Sequence, residues 1–167
     1  MVLRVGVVGV PFPNGIGMMH ANCYANDPLA KLVAVCDIIK ERADNTADKF
    51  GVKAYYSVSE MLEKMPDLDI VDVCTGGHEN GSLHYEPTML ALEAGKNVLV
   101  EKPISNRIEE ARKMVAKASQ RGLYLGCNLN HYFTFPAERA RRYIDEGEIG
   151  ELVYCLHKMG FQGGEAT

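Results

Sequence analysis

The chain has 167 residues, enough for one domain or for one domain and part of a second, and it can bury roughly 70% of its unfolded surface without disulfide staples. Its composition, 47% hydrophobic and 24% charged, is that of a soluble globular protein; a net charge of −4 with no block of like charge argues against nucleic acid as the main partner. The first apolar run is broken by Pro11 and Pro13, too short for a membrane span or a secretory leader. Five widely spaced cysteines, Cys23, Cys36, Cys74, Cys127 and Cys155, form no Cys-x-x-Cys, so a reducing, cytoplasmic setting is expected.

Short apolar runs alternate with amphipathic stretches. Val5–Val10 reads as a strand buried on both faces and runs into "GVPFPNGIGMMH", where Gly9 can make a sharp turn and Gly15 and Gly17 can open a helix. Leu32–Cys36 is the next strand, followed by the helical "IIKERADNTADKF". Ser57 with Glu60 forms a capping box for a short helix ending near Met65. Ile70–Cys74 is again strand-like, and Pro87 and Gly95 bracket the helical "PTMLALEA". Val98–Val100 precedes a helix starting at Asn106 and ending at Gly122, with Ile108, Ala111, Val115 and Ala118 on its apolar face. Leu123–Cys127 closes the series.

This alternation predicts an α/β fold: a doubly wound parallel sheet over residues 1–127, with right-handed crossovers. From residue 128 the rhythm changes to an irregular aromatic stretch, a helix from about Pro136 to Glu146, and a strand-like "ELVYCLHK". Residues 128–167 therefore read as the opening of a second domain. The basic cluster Arg139, Arg141 and Arg142 reads as a solvated helix face.

Ligands of such sheets bind at the carboxyl ends of the strands. Behind the first strand, a glycine turn leading into a helix can hold a pyrophosphate on backbone amides. Pro11–Pro13 interrupts the usual Gly-x-Gly-x-x-Gly spacing, and proline has no N–H to give. The expected donors are therefore the amides of Asn14, Gly15 and Ile16, with deletion of Pro11–Pro13 expected to be harmless to binding. Asp37, ending the second strand, suits either the two hydroxyls of an adenosine ribose or a helix cap; joined to the glycine turn, it favours the ribose and NAD over NADP. In "CTGGHENGSLHYEP", Thr75, Gly76 and Gly77 permit close backbone approach to a ligand, although a plain solvated loop also fits. His78, Glu79 and His84 lack metal-motif spacing, and no metal is expected. Asn80-Gly81-Ser82 reads as a turn rather than a glycosylation site. Lys102, before a proline that can take the cis form, is either a surface lysine or a group that polarises a substrate carbonyl and moves its proton.

Together, "ALEAGKNVLVEKPIS", "LVAVCD" and "IDEGEIGEL" resemble segments of the glucose–fructose oxidoreductase / inositol dehydrogenase / MocA family, and the likeness runs over nearly the whole chain. The resemblance implies a Rossmann domain followed by an α/β substrate and dimerisation domain, and so a homo-oligomer. It implies an NAD-dependent dehydrogenase acting on a small hydroxylated substrate of sugar or polyol type. It gives Lys102 a catalytic place beside nicotinamide and substrate, and it puts Gly9, Glu101, Thr75, Gly76, His84 and Asn130 at the coenzyme. Tyr132 stands where many members carry Arg, and the family's proton-transferring His would fall beyond Thr167. This chain alone is therefore expected to be catalytically weak, and a binding or regulatory module without catalysis is the alternative.

Overall fold

The structure, a computed structural model, describes residues 2–76 and 81–156. It divides into two compact units, Met1–Asn128 and Leu129–Thr167. In the first, six strands, β1 (Leu3–Val8), β2 (Ala30–Cys36), β3 (Lys53–Tyr55), β4 (Ile70–Val73), β5 (Asn97–Glu101) and β6 (Leu125–Asn128), form one sheet in the order β3-β2-β1-β4-β5-β6. Every neighbouring pair is parallel. The helices between them are α1 (Ile16–Ala25), α2 (Lys40–Phe50), α3 (Val58–Lys64), α4 (Tyr85–Glu93) and α5 (Ile108–Arg121).

Alternation along the strands builds a core on each side of the sheet. On one side Val5, Val7 and Val35 pack with Ala21 of α1 and Ala47 of α2. On the other, Val8, Val71, Val73 and Val100 pack with Met61, Leu92 and Met114 of α3, α4 and α5. Strand order reverses between β1 and β4, so a crevice opens at their carboxyl ends.

The differences from the sequence expectations have local causes. β1 stops at Val8 because Gly9 turns out of the sheet with φ +84°. β3 is an additional edge strand of three residues. Ser57 caps α3 as expected, its hydroxyl accepting from the Glu60 amide at 3.2 Å. α4 begins two residues before Pro87. α5 begins at Ile108 with Arg107 as its cap, not at Asn106, and its buried stripe is Met114 and Ala118, whereas Ile108 and Val115 are exposed. Gly122 ends it in the left-handed conformation.

The second unit holds a single turn of 3-10 helix (Asn130–Phe133) and α6 (Phe135–Asp145). Arg139, Arg141 and Arg142 are exposed, as expected of a solvated helix face, and each also engages an aromatic ring: Arg141 stacks over Tyr132 at 4.0 Å, Arg139 donates to the Tyr143 hydroxyl at 2.7 Å, and Arg142 lies over the Tyr143 ring at 5.7 Å. The expected strand at "ELVYCLHK" is absent over residues 151–156; its last two residues lie outside the described ones. Among the described residues no helix is long and apolar enough to cross a membrane, and all five cysteines are free.

Candidate functional site at the carboxyl edge of the sheet

The loop after β1 is built on close backbone approach. A Cβ on Gly9 would lie 2.8 Å from the Thr75 amide nitrogen, and one on Gly17 would run into the Gly9 carbonyl oxygen. α1 is thereby seated against the turn, as a helix that presents its N-terminus to a ligand must be. Its N-cap is Gly15, which offers no side-chain cap and leaves the first-turn amides without intrahelical acceptors. The Pro11 ring packs on Gly15, whose φ of 155° and crowded α-carbon both require glycine. The proline wedge is therefore fitted into the loop; Asn14 and Ile16 are exposed beside it, and Phe12 is 39% exposed.

Asp37 is held at the end of β2, 7% exposed. Its Oδ2 accepts from the Val10 amide at 3.0 Å and its Oδ1 from the Ile39 amide at 2.9 Å. Its side chain thus fastens the β1 loop; the cap residue of α2 is Ile39, so the helix-cap alternative is not what forms. Each carboxylate oxygen keeps a further lone-pair direction for a hydroxyl donor. Ile38 next to it is 84% exposed, an apolar side chain that the sequence reading passed over.

After β4, Thr75 Oγ1 donates to the Leu83 carbonyl at 2.7 Å, and a Cβ on Gly76 would meet nothing within 4 Å. Gly77, His78, Glu79 and Asn80 lie outside the described residues. His84, expected at the coenzyme surface, is instead 1% exposed. Its Nδ1 stands 2.7 Å from the Pro103 carbonyl oxygen and its Nε2 2.6 Å from that of Thr75. Both ring nitrogens thus face backbone carbonyls, one in the β4 loop and one in the turn after β5, and the buried ring offers nothing to a ligand directly.

That turn carries Glu101 and Lys102, and the Lys102–Pro103 peptide is cis. Glu101 is 7% exposed, with its Oε2 accepting from the Lys102 amide at 3.2 Å; the Lys102 side chain is exposed. Glu101 Oε1 accepts from Asn128 Nδ2 and lies 3.2 Å from His20 Nε2, while His20 Nδ1 lies 2.8 Å from Asp72 Oδ2. His20, Asp72 and Asn128 are the polar residues that sequence reading missed. Asp72 was detectable: a carboxylate inside an otherwise apolar strand needs a buried partner. Asn130 belongs to the second unit, exposed at the start of its 3-10 turn.

Gly9 and the α1 N-terminus, Asp37, Thr75 with Gly76, and Glu101 with Lys102 thus all sit at the carboxyl edge, around the point where strand order reverses. A parallel sheet of this order with a glycine turn after its first strand and an acid after its second is a dinucleotide-binding α/β domain. The chain belongs to the GFO_IDH_MocA family, described as an oxidoreductase family with an NAD-binding Rossmann fold, whose model matches residues 3–129. It is 31% identical over 165 residues to D-glucoside 3-dehydrogenase of Escherichia coli (strain K12), covering 96% of this chain and 45% of that protein. It is also 31% identical over 153 residues to scyllo-inositol 2-dehydrogenase (NAD(+)) of Bacillus subtilis (strain 168), covering 91% and 43%. The crystal structure of scyllo-inositol dehydrogenase from Lactobacillus casei with bound NAD(H) and scyllo-inositol superposes with a TM-score of 0.79 at 25% identity, over 90% of this chain and 43% of that one. The chain spans less than half the length of these relatives.

Proposed function

We propose that this chain is the coenzyme-binding part of an NAD-dependent dehydrogenase that acts on a sugar or polyol hydroxyl. The observation that carries the reading is the convergence, at the reversal point of the sheet, of an uncapped helix N-terminus, a buried acid after β2 and a Glu-Lys turn after β5. The residues fit the dinucleotide. The amides of Asn14, Gly15 and Ile16, at the start of α1, face the pyrophosphate, with the helix dipole adding to the attraction. Asp37 receives the adenosine ribose hydroxyls on its free lone pairs and disfavours a 2′-phosphate. Thr75 and Gly76 line the adenosine side, where the space beside Gly76 leaves room for the ligand.

Bound nicotinamide supplies the hydride acceptor for oxidation of a carbinol carbon, or the donor for the reverse. The protein's own part is orientation and proton handling. Lys102 carries an ammonium at the carboxyl end of β5, where it can hold a proton at the substrate oxygen. Glu101 fixes the Lys102 backbone through its amide. His84 ties this turn to the β4 loop, so the adenosine and nicotinamide sides keep a fixed relation. We take the free thiols to reflect a reducing, cytoplasmic setting and the active form to be a homo-oligomer.

A thermal-shift titration with NAD tests the binding reading, because stabilisation grows as the logarithm of ligand concentration above Kd and reaches about 2.7 kcal/mol at a hundredfold excess over it. No shift at millimolar NAD would overturn it. NAD-linked turnover on a sugar and polyol panel by a protein that carries this part together with a substrate domain, lost in Lys102→Ala, tests the reaction. Turnover that survives Lys102→Ala would remove Lys102 from the chemistry.

A further inference from the structure

At the amino edge of the sheet, opposite the coenzyme crevice, lies a groove of about 760 Å³ walled by β1, β2, β3 and the end of α3. Strand alternation decides what faces it. Val5, Leu32 and Ala54 pack into the core on the α1 and α2 side, so their neighbours Arg4, Lys31 and Lys53 turn to the α3 side. Lys64, in the last turn of α3, joins them. Four cations thus line one groove in a chain whose net charge is −4, and Asp67 is the one carboxylate among the described lining residues.

Without a ligand this arrangement is unfavourable. β1 and β2 are in register with Arg4 beside Lys31, and like charges side by side on one sheet face repel. Asp67 answers only one end of the guanidinium, its Oδ2 lying 2.9 Å from Arg4 Nη2. Arg4 Nε is buried and meets no acceptor among the described residues, which leaves a donor desolvated and unpaired. The nearby Asp69 Oδ2 accepts instead from the Arg4 backbone amide at 2.8 Å. Among the described residues Lys31 and Lys53 form no ion pair. Lys64 has Glu63 at 3.7 Å, a contact between two exposed side chains that is worth little. Helix C-termini carry partial negative charge, but Lys64 answers that of α3 and Lys49 that of α2. The three strand cations are surplus to both.

We propose that this groove is a second ligand site, for a small molecule that bears linked phosphate groups. A guanidinium presents a planar fork of donors to phosphate oxygens, and lysines add mobile point charges around it. Such an anion gives Arg4 Nε its acceptor, supplies Lys31 and Lys53 with counter-charge, and replaces the Arg4–Lys31 repulsion with a shared attraction. Neighbouring strands lie about 4.8 Å apart, so Arg4 and Lys53 are separated by roughly 10 Å or more at the backbone, a span that suits linked phosphates better than one alone. The groove volume falls in the range of small-molecule sites, about 300–1,000 Å³. The site goes beyond the dehydrogenase reading and stands without it.

The test is a ¹H–¹⁵N NMR titration of the whole chain with inorganic triphosphate at constant ionic strength, with and without NAD. The proposal predicts saturable one-to-one shifts of the Arg4 Nε–H and of the Lys31 and Lys53 amides below a millimolar, weaker with orthophosphate and retained with NAD present. Both lysines are exposed, so Lys31→Gln and Lys53→Gln should fold, and each should weaken triphosphate at least about tenfold. Shifts confined to the loop before α1 and abolished by NAD would place the anion at the coenzyme site and overturn the proposal. Linear shifts that sodium chloride reproduces would reduce it to general screening, and unchanged affinity in both variants would also overturn it. Tighter binding of hexaglutamate than of triphosphate at the same signals would make the groove a seat for an acidic protein segment instead.

Discussion

Replacing Gly17 with alanine should loosen the coenzyme loop even though alanine is the better helix former. In an open helix the exchange would gain about 1 kcal/mol. Here the added methyl would collide with the Gly9 carbonyl oxygen, with the Gly9 carbonyl carbon 3.0 Å and Cys74 Cβ 3.3 Å away. Carbon atoms in contact settle near about 3.5 Å or beyond, so α1 must retreat by about an ångström from the β1 turn. Overpacking of this kind costs about 1–3 kcal/mol, leaving a net loss of up to about 2 kcal/mol after the helix gain. For a chain of this size that lowers Tm by up to about 8 °C. In the proposed reading the retreat also carries the first-turn amides away from the pyrophosphate, so calorimetric NAD affinity should fall by about tenfold. A variant with unchanged Tm and unchanged affinity would refute the claim that α1 is seated on Gly9 to meet a phosphate.

Gly76→Ala is the contrasting case: its Cβ has open space, so Tm should stay within about 0.5 kcal/mol equivalents of wild type while NAD affinity drops. A loss of Tm would mean that the glycine serves the fold. Because the folded pKa of His20 is raised, the stabilisation it brings is complete below about pH 6.5 and is lost as pH rises through the folded value. Urea denaturation should therefore show the advantage of wild type over Asp72→Asn shrinking from pH 6 to pH 9; a constant difference would contradict a raised His20 titration. Ser57→Ala removes the hydroxyl that caps α3 and should cost about 1 kcal/mol by denaturant titration without changing NAD affinity.

Much of the fold was legible because its strands are short Val- and Ile-rich runs buried on both faces, and because Ser57, Gly95 and Gly122 punctuate the helices. β3 was not, since Lys53, Ala54 and Tyr55 carry no apolar run and form a strand only by pairing with β2. In α5 the stripe is read wrongly from hydrophobicity alone: Met114 fills the core while the β-branched Ile108 and Val115 remain outside. Of the proposed site residues, the glycine turn, Asp37 and Lys102 are picked out by their position after a strand. The buried polar cluster of His20, Asp72, Glu101 and Asn128 is not, because it depends on which face each strand residue takes and on register across three strands. His84 shows the opposite error: a residue placed by likeness at a ligand surface turns out to be consumed by two backbone carbonyls.

Calorimetric titration of NAD into the wild-type chain and into Asp37→Ala tests the central claim most directly. The carboxylate holds the Val10 amide and, in the proposed reading, receives the ribose hydroxyls. Saturable binding of one NAD per chain is expected, weakened at least about tenfold by the substitution, as loss of charged hydrogen bonds worth about 1.5–3 kcal/mol requires. Equal affinity in the two proteins, or no binding of NAD by the wild-type chain at millimolar concentration, would contradict it.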